Sequence, residues 1–218
     1  MLRAVRIFYK KLGRLKFVSH LDMNRTMSRL LRLAKLPVWY TEGYNPHPFV
    51  SLVLPLSLGF ESDYEVMDFR VTDDSISNSE IKSALKAVFP PDLFLLDVED
   101  PVMKASDISF ADYEVVFENP DEQLERALDT FLSSPSIVTA KVNKKGERVE
   151  RNIAPLIHEY RINKDGGLVL FLKLSAGSSA NLNPQEILQA FEESTGVKLP
   201  YYNIRRLMLY NNSGQKFK

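Results

Sequence analysis

Apolar spacing along this chain switches between a period of two and a period of 3.6, and that switching most constrains its fold. Residues 4–9 alternate, with Val5, Ile7 and Tyr9 on one side, as a half-buried strand does. Residues 15–19 are expected to extend or pair that strand. Residues 21–36 carry Met27, Leu30, Leu31 and Ala34 at helical spacing. In the same stretch Arg25, Arg29 and Arg32 fall at i, i+4 and i+7, so they share a different face. Ser19 or Asp22 can cap this helix, because a side-chain oxygen there takes the orphan amide protons of the first turn. Pro37 lies just past its end. The spacing then predicts an extended piece at 38–40, strands at 51–56 and 64–71, and a helix at 79–89 with Ile81, Leu85 and Val88 inward. Pro90-Pro91 stops that helix, and a strand follows at 94–98. Strand, helix, strand, strand, helix, strand is the ferredoxin-like order.

The second half repeats the plan. Strands are expected at 113–117, 137–142, 157–162, 168–174 and 204–210. Helices are expected at 121–132, with Leu124, Ala127, Leu128 and Phe131 inward, and at 184–194, where Pro184 suits the first turn. A short echo, Asp63-Tyr64-Glu65-Val66 and Asp112-Tyr113-Glu114-Val115, fits a duplicated plan. The expected fold class is α+β, with two tandem ferredoxin-like (βαββαβ) domains at 1–103 and 104–218. Their boundary lies in the charged stretch 100–107, which contains Pro101. A length of 218 residues suits two domains of roughly 100 residues each.

Several function classes drop out. The chain has no cysteine, which removes disulfides, thiolate-held zinc and an iron–sulfur cluster of its own. The start, Met1-Leu2-Arg3-Ala4-Val5-Arg6, does not read as a signal peptide. No apolar run approaches the ~20 residues of a membrane span. A cytoplasmic protein without a membrane role is expected, with no cofactor and no metal of its own. No phosphate-binding loop, dinucleotide fingerprint or nucleophile elbow is present.

The net charge of zero hides segregation. Residues 1–47 hold ten Lys/Arg against two Asp/Glu, residues 48–133 hold five against nineteen, and residues 134–218 hold thirteen against seven. Such asymmetry lets one face meet a polyanion while the molecule stays neutral overall, or lets the two ends neutralise an acidic middle. The expected phosphate-binding residues are Lys10, Lys11, Arg14, Arg25, Arg29 and Arg32. Aromatic Trp39, Tyr40, Tyr44 and Phe49 interleave with this basic third, which suits unpaired RNA bases as well as core packing.

Two motifs concentrate the polar chemistry. In Phe17-Val18-Ser19-His20-Leu21-Asp22-Met23-Asn24-Arg25, His20 stands at a strand-to-helix junction, where free amide protons favour anions. In Tyr40-Thr41-Glu42-Gly43-Tyr44-Asn45-Pro46-His47-Pro48, two prolines bracket His47 in a tight-turn segment. The expected pocket is His20, Asp22, Tyr44, Asn45 and His47, with His20 the candidate acid or base. Local hydrogen bonding that shapes the junction and the turn is the competing reading. A basic hairpin is expected at 141–151, with Lys141, Lys144, Lys145, Arg148 and Arg151 around a turn at Gly146. Alternation sends Arg205 and Arg206 to opposite sides of the last strand.

At these residues the chain resembles the bacterial radical SAM-linked proteins, a family of unknown function. The likeness rests on Phe17, Ser19-His20-Leu21-Asp22, Arg25, Leu36-Pro37, Gly43-Tyr44-Asn45-Pro46-His47-Pro48, Leu54-Pro55-Leu56, Gly59 and Glu65. It implies a radical-SAM protein as partner and an RNA or ribosomal setting, with any cluster carried by the partner. Family members often have an Asp-Ile-Arg-Pro pattern where this chain has Asn152-Ile153-Ala154-Pro155. The expected function is therefore an RNA-binding or substrate-presenting accessory module, more a binding protein than an enzyme. The alternatives are a metal-independent RNA endonuclease using His20, and a protein-interaction subunit that uses the acidic middle and binds no RNA.

Overall fold

The computed structural model of the chain describes residues 2–142, 148–164 and 167–218. Its fold is α+β, with four α-helices among the described residues. The chain divides into two compact units, Met1–Ala105 together with Lys218, and Ser106–Phe217.

In the first unit the elements run β1 (Arg3–Lys11), α1 (His20–Leu33), β2 (Val50–Leu52), β3 (Glu61–Val71), α2 (Asn78–Lys86) and β4 (Leu93–Glu99). The strands stand in the order β4-β1-β3-β2, and every pair is antiparallel. Alternation sends Val5, Ile7 and Tyr9 to one face, where they pack with Met27, Leu31, Phe69, Ile81 and Leu85. Each such side chain, once buried, contributes about 1.5–3 kcal/mol. The opposite face of β1 is buried too, through Arg6 and Phe8, and Phe8 stacks on Tyr64 at 5.3 Å.

Three local expectations change. Residues 13–17 form a 3-10 turn and not a strand extension. Gly13 sits at φ +57, and Leu12 donates its backbone N–H to Asp92 at 3.0 Å, so the chain bends away at the end of β1. The helix expected at 21–36 ends at Leu33. There Lys35 takes a left-handed conformation, its N–H donates to Arg32 at 3.0 Å, and the Leu36 N–H donates to Leu31 at 3.4 Å, the paired bonds of a Schellman stop. The strand expected at 51–56 shrinks to Val50–Leu52. Pro55, which has no N–H to give a ladder, lies in the stretch that is lost.

In the second unit the elements are β5 (Ile108–Phe117), α3 (Leu124–Leu132), β6 (Val138–Val142), β7 (Arg148–Asn152), β8 (Ile157–Asn163), β9 (Val169–Ser175), α4 (Pro184–Thr195) and β10 (Tyr202–Asn211). The main sheet has the order β10-β5-β9-β8, again antiparallel throughout. Counted within the unit without β6 and β7, this is the strand order of the first unit. Ala111, Val115, Leu170, Leu172 and Leu174 are buried together with Leu128, Ile187, Leu188 and Phe191 of α3 and α4, and Phe131 meets Phe191 edge to face at 5.5 Å.

Pro184 opens α4 beneath an Asn183 cap, and Gly196, at φ +71, closes it. Gly177 cannot be replaced cheaply, because a Cβ there would lie 2.3 Å from the Ile108 carbonyl oxygen. β6 and β7 form a two-stranded antiparallel sheet of their own. Apolar spacing predicts β6 but not β7. Lys144, Lys145 and the expected turn at Gly146 lie outside the described residues.

Candidate nucleic-acid interface

The first functional segment grows out of a capped helix start. Ser19 holds extended backbone and accepts the Asp22 N–H at 3.1 Å, while its hydroxyl donates to Asp22 Oδ2 at 2.8 Å. Ser19 is therefore the cap, and Asp22 braces it from the first turn. Asp22 Oδ1 also accepts from Arg25 at 3.2 Å. The apolar stripe Met23, Met27, Leu30 and Leu31 turns inward, which leaves Arg25, Arg29 and Arg32 exposed along the outer face. The side chains of Arg29, Arg32 and Arg14 have no hydrogen bond or ion pair among the described residues. Their guanidinium groups thus present free donors in the fork geometry that matches phosphate.

The other predicted cations behave differently. Lys10 pairs with Asp63 at 2.9 Å and is partly covered. Lys11 is only 3% exposed, and its ammonium points to the Val18 carbonyl at 3.3 Å. β1 runs through Lys11, and the alternation that buries Val5, Ile7 and Tyr9 carries Lys11 to the same side. It does not reach the surface that Arg25, Arg29 and Arg32 share. Arg206 is buried as well, while Arg205, one residue earlier, lies opposite Glu114.

His20 is exposed, and its ring has no hydrogen-bond partner among the described residues. The 3.6-residue period puts it about 140° around the helix axis from Arg25, off the arginine row. The second segment, 40–48, is a hairpin-like lobe. Thr41 donates its N–H to the His47 carbonyl at 2.8 Å, and Tyr40 bridges Pro48. Its base is pinned where the Arg70 guanidinium lies 5.4 Å from the Trp39 ring and 5.2 Å from the Phe49 ring.

His47 Nδ1 stands 3.0 Å from the Asn45 carbonyl and 3.2 Å from Thr41 Oγ1. A carbonyl oxygen can only accept, so Nδ1 donates to Asn45 and the ring is held against its own loop. Tyr44 at the tip is 99% exposed. The structure thus joins Ser19, Asp22 and Arg25 in one cluster and Thr41, Asn45 and His47 in another. No hydrogen bond or ion pair joins the two clusters among the described residues.

A feature that periodicity did not single out is apolar. Phe17 is 65% exposed, Leu21 59% and Leu58 60%. The Gly59 N–H donates to the Lys16 carbonyl at 2.7 Å, which ties the segment of Leu58 to that of Phe17. Asn152 is structural. Its Oδ1 accepts from the Ile137 N–H at 3.0 Å and the Ala154 N–H at 3.1 Å.

Among the described residues no group of three or more His, Cys, Asp or Glu is placed to hold a metal ion. Among the same residues no helix is long and apolar enough to cross a membrane.

Strands, helices and exposed motif residues together define a bacterial α+β family. The chain belongs to the family described as an uncharacterized protein conserved in bacteria, DUF2344, whose model matches residues 4–184. No curated protein matches it.

Proposed function

We propose that this protein is a non-catalytic RNA-binding or substrate-presenting accessory module, acting with a radical-SAM enzyme on an RNA or ribosomal target in the cytoplasm. The observation that carries the proposal is the row Arg25, Arg29 and Arg32 on the outer face of α1, two of whose members have no acidic partner among the described residues. Uncompensated guanidinium groups spaced along one helix face suit a phosphate backbone. Arg14 extends the set from the neighbouring turn. Lys11 is left out because it is buried.

Each unit is proposed to be a ferredoxin-like domain. Both strand orders, β4-β1-β3-β2 and β10-β5-β9-β8, support this, with β6 and β7 as an insertion in the second. The radical-SAM link rests on the motif resemblance. The absence of cysteine fits a cluster carried by the partner. The exposed Phe17, Leu21 and Leu58 support a protein contact next to the arginines, because an apolar group of this kind on a surface marks interaction. His20 and His47 Nε2 are proposed to contact ligand and not to transfer protons.

The test is RNA binding across a salt series, comparing wild type with the Arg25/Arg29/Arg32→Ala variant. The slope of log affinity against log salt should flatten by about 0.7 for each phosphate of single-stranded RNA that is no longer neutralised. A wild-type protein with no affinity for RNA at low salt overturns the proposal.

A further inference from the structure

The face of the second sheet turned away from α3 and α4 holds unpaired charges lying over aromatic rings. Register gives the layout. One row across β10, β5, β9 and β8 is Met208, Asp112, Lys173 and Glu159, and the next is Arg205, Glu114, Phe171 and Arg161. Between these rows lies a cleft of about 290 Å³, whose lining includes Asp112, Glu159, Arg161, Phe171, Lys173 and Leu207.

The Arg161 guanidinium lies 4.8 Å from the Phe171 ring centroid, and the Lys173 ammonium lies 4.3 Å from that of Tyr210. The side chains of Glu159, Arg161 and Lys173 make no hydrogen bond or ion pair among the described residues. Asp112 accepts from the Tyr210 hydroxyl at 2.7 Å through Oδ2, but its buried Oδ1 has no donor among the described residues. Opposite charges on adjacent strands of a sheet ordinarily pair, and buried polar atoms are ordinarily satisfied. Here both signs line one cleft and neither condition is met. The missing partner must bring donors to carboxylates, an anion to the cations and a flat apolar face to the Arg161–Phe171 stack.

We infer that this cleft holds one unpaired base of a single-stranded RNA, stacked on the Arg161–Phe171 pair, with its amino edge toward Glu159 and Asp112 and its flanking phosphates at Arg161 and Lys173. This rests on the RNA-binding proposal and adds a second contact, remote in sequence from α1. Nucleobases stack on aromatic and guanidinium planes irrespective of sequence. Sequence preference then comes from the carboxylates. Ionised, they only accept hydrogen bonds, so they favour adenine, cytosine or guanine, which carry an exocyclic amino group. Uracil has no exocyclic amino group and offers them only the single N3–H, flanked by two carbonyl oxygens that carboxylates repel, so it is the base they favour least.

The experiment measures binding of short adenine, cytosine and uridine homopolymers in a salt series to wild type, Phe171→Leu, Arg161→Gln and Glu159→Gln, with the α1 triple variant alongside. Phe171→Leu keeps an apolar side chain, and Arg161→Gln changes only an exposed group, so both variants should fold. Phe171→Leu should weaken adenine and cytosine binding roughly five- to hundredfold without changing the salt slope. Arg161→Gln should weaken binding and flatten the slope by up to about 0.7. Glu159→Gln should narrow the preference over uridine. Wild-type affinity and slope in both Phe171→Leu and Arg161→Gln, while the α1 variant loses binding, would overturn the cleft and leave the RNA proposal standing. Uridine bound as tightly as adenine would also overturn it. Wild type binding none of the three would overturn both.

Discussion

Among single residues, charge inside the sheets is the feature that pattern reading handles least well. Arg6 lies in β1 between Val5 and Ile7 and is 1% exposed. It makes a two-pronged pair with Asp68, both bonds 2.7 Å, and donates to the carbonyls of Met103 and Lys218 at 2.8 and 2.9 Å. Alternation puts Arg6 on the face opposite Val5, and ordinary expectation would then expose it. Its cross-strand partner, Asp68 in β3, supplies the countercharge that makes burial tolerable, and that partner is sixty-two residues away. Arg6→Met removes these bonds and leaves Asp68 uncompensated, which should cost about 3–5 kcal/mol. An unfolding free energy from denaturant titration lowered by less than about 1 kcal/mol would refute this.

Tyr210 offers a second residue-scale test. Burial, together with its hydrogen bond to Asp112, pushes its phenol up to about 12. The folded value lies above the ordinary one near 10, so folding favours the neutral phenol. That contribution is full below pH ~10 and is lost as pH rises through about 12. Burial raises Tyr64, Tyr160 and Tyr202 as well, so the test is a difference: the tyrosinate absorbance of Tyr210→Phe should fall short of wild type by one group, and the shortfall should develop near pH 12. A difference between the two proteins already complete near pH 10 would contradict it.

At the scale of elements, helices were more legible than strands. The stripe of α1 and its Ser19 cap follow from spacing and from one hydroxyl, and Pro184 announces α4. The C-terminal stop of α1 was hidden, because Lys35 fills a left-handed position that glycine usually takes. That strain makes a prediction. Lys35→Gly should stabilise the protein by about 0.5–1 kcal/mol, after allowing for the entropy glycine adds to the unfolded chain. A lower melting temperature in Lys35→Gly would mean that the lysine side chain contributes more than its backbone costs.

β7 is legible only as the return arm of the basic hairpin expected at 141–151, and not from apolar spacing. Arg148-Val149-Glu150-Arg151-Asn152 has one apolar residue, and its pairing with β6 runs through backbone register and the Asn152 side chain. The candidate site divides in the same way. The arginine row on α1 is periodic and can be read from sequence. The Phe171–Arg161 stack joins β9 to β8, and its members meet only through register.

For the whole molecule, the net charge of zero decides how it can attract a polyanion. There is no monopole to act at a distance, and in physiological salt the Debye length is about 8 Å. Attraction to RNA must therefore come from cations that touch phosphates, and affinity should follow where charge is removed and not how much. This separates two explanations of the α1 triple variant, which lowers net charge by three. A matched control, Lys86/Lys198/Lys216→Ala, lowers net charge by the same amount at exposed positions outside α1. Under a bulk-charge explanation the two variants lose affinity equally, and their curves against salt coincide. Local binding of phosphate predicts that the control keeps wild-type slope and nearly wild-type affinity, while the slope of the α1 variant falls by about 0.7 for each phosphate left without its arginine. Equal losses in the two variants would mean that the arginine row has no special part in binding, and that the exposed apolar group at Phe17, Leu21 and Leu58 is the better place to look for a partner.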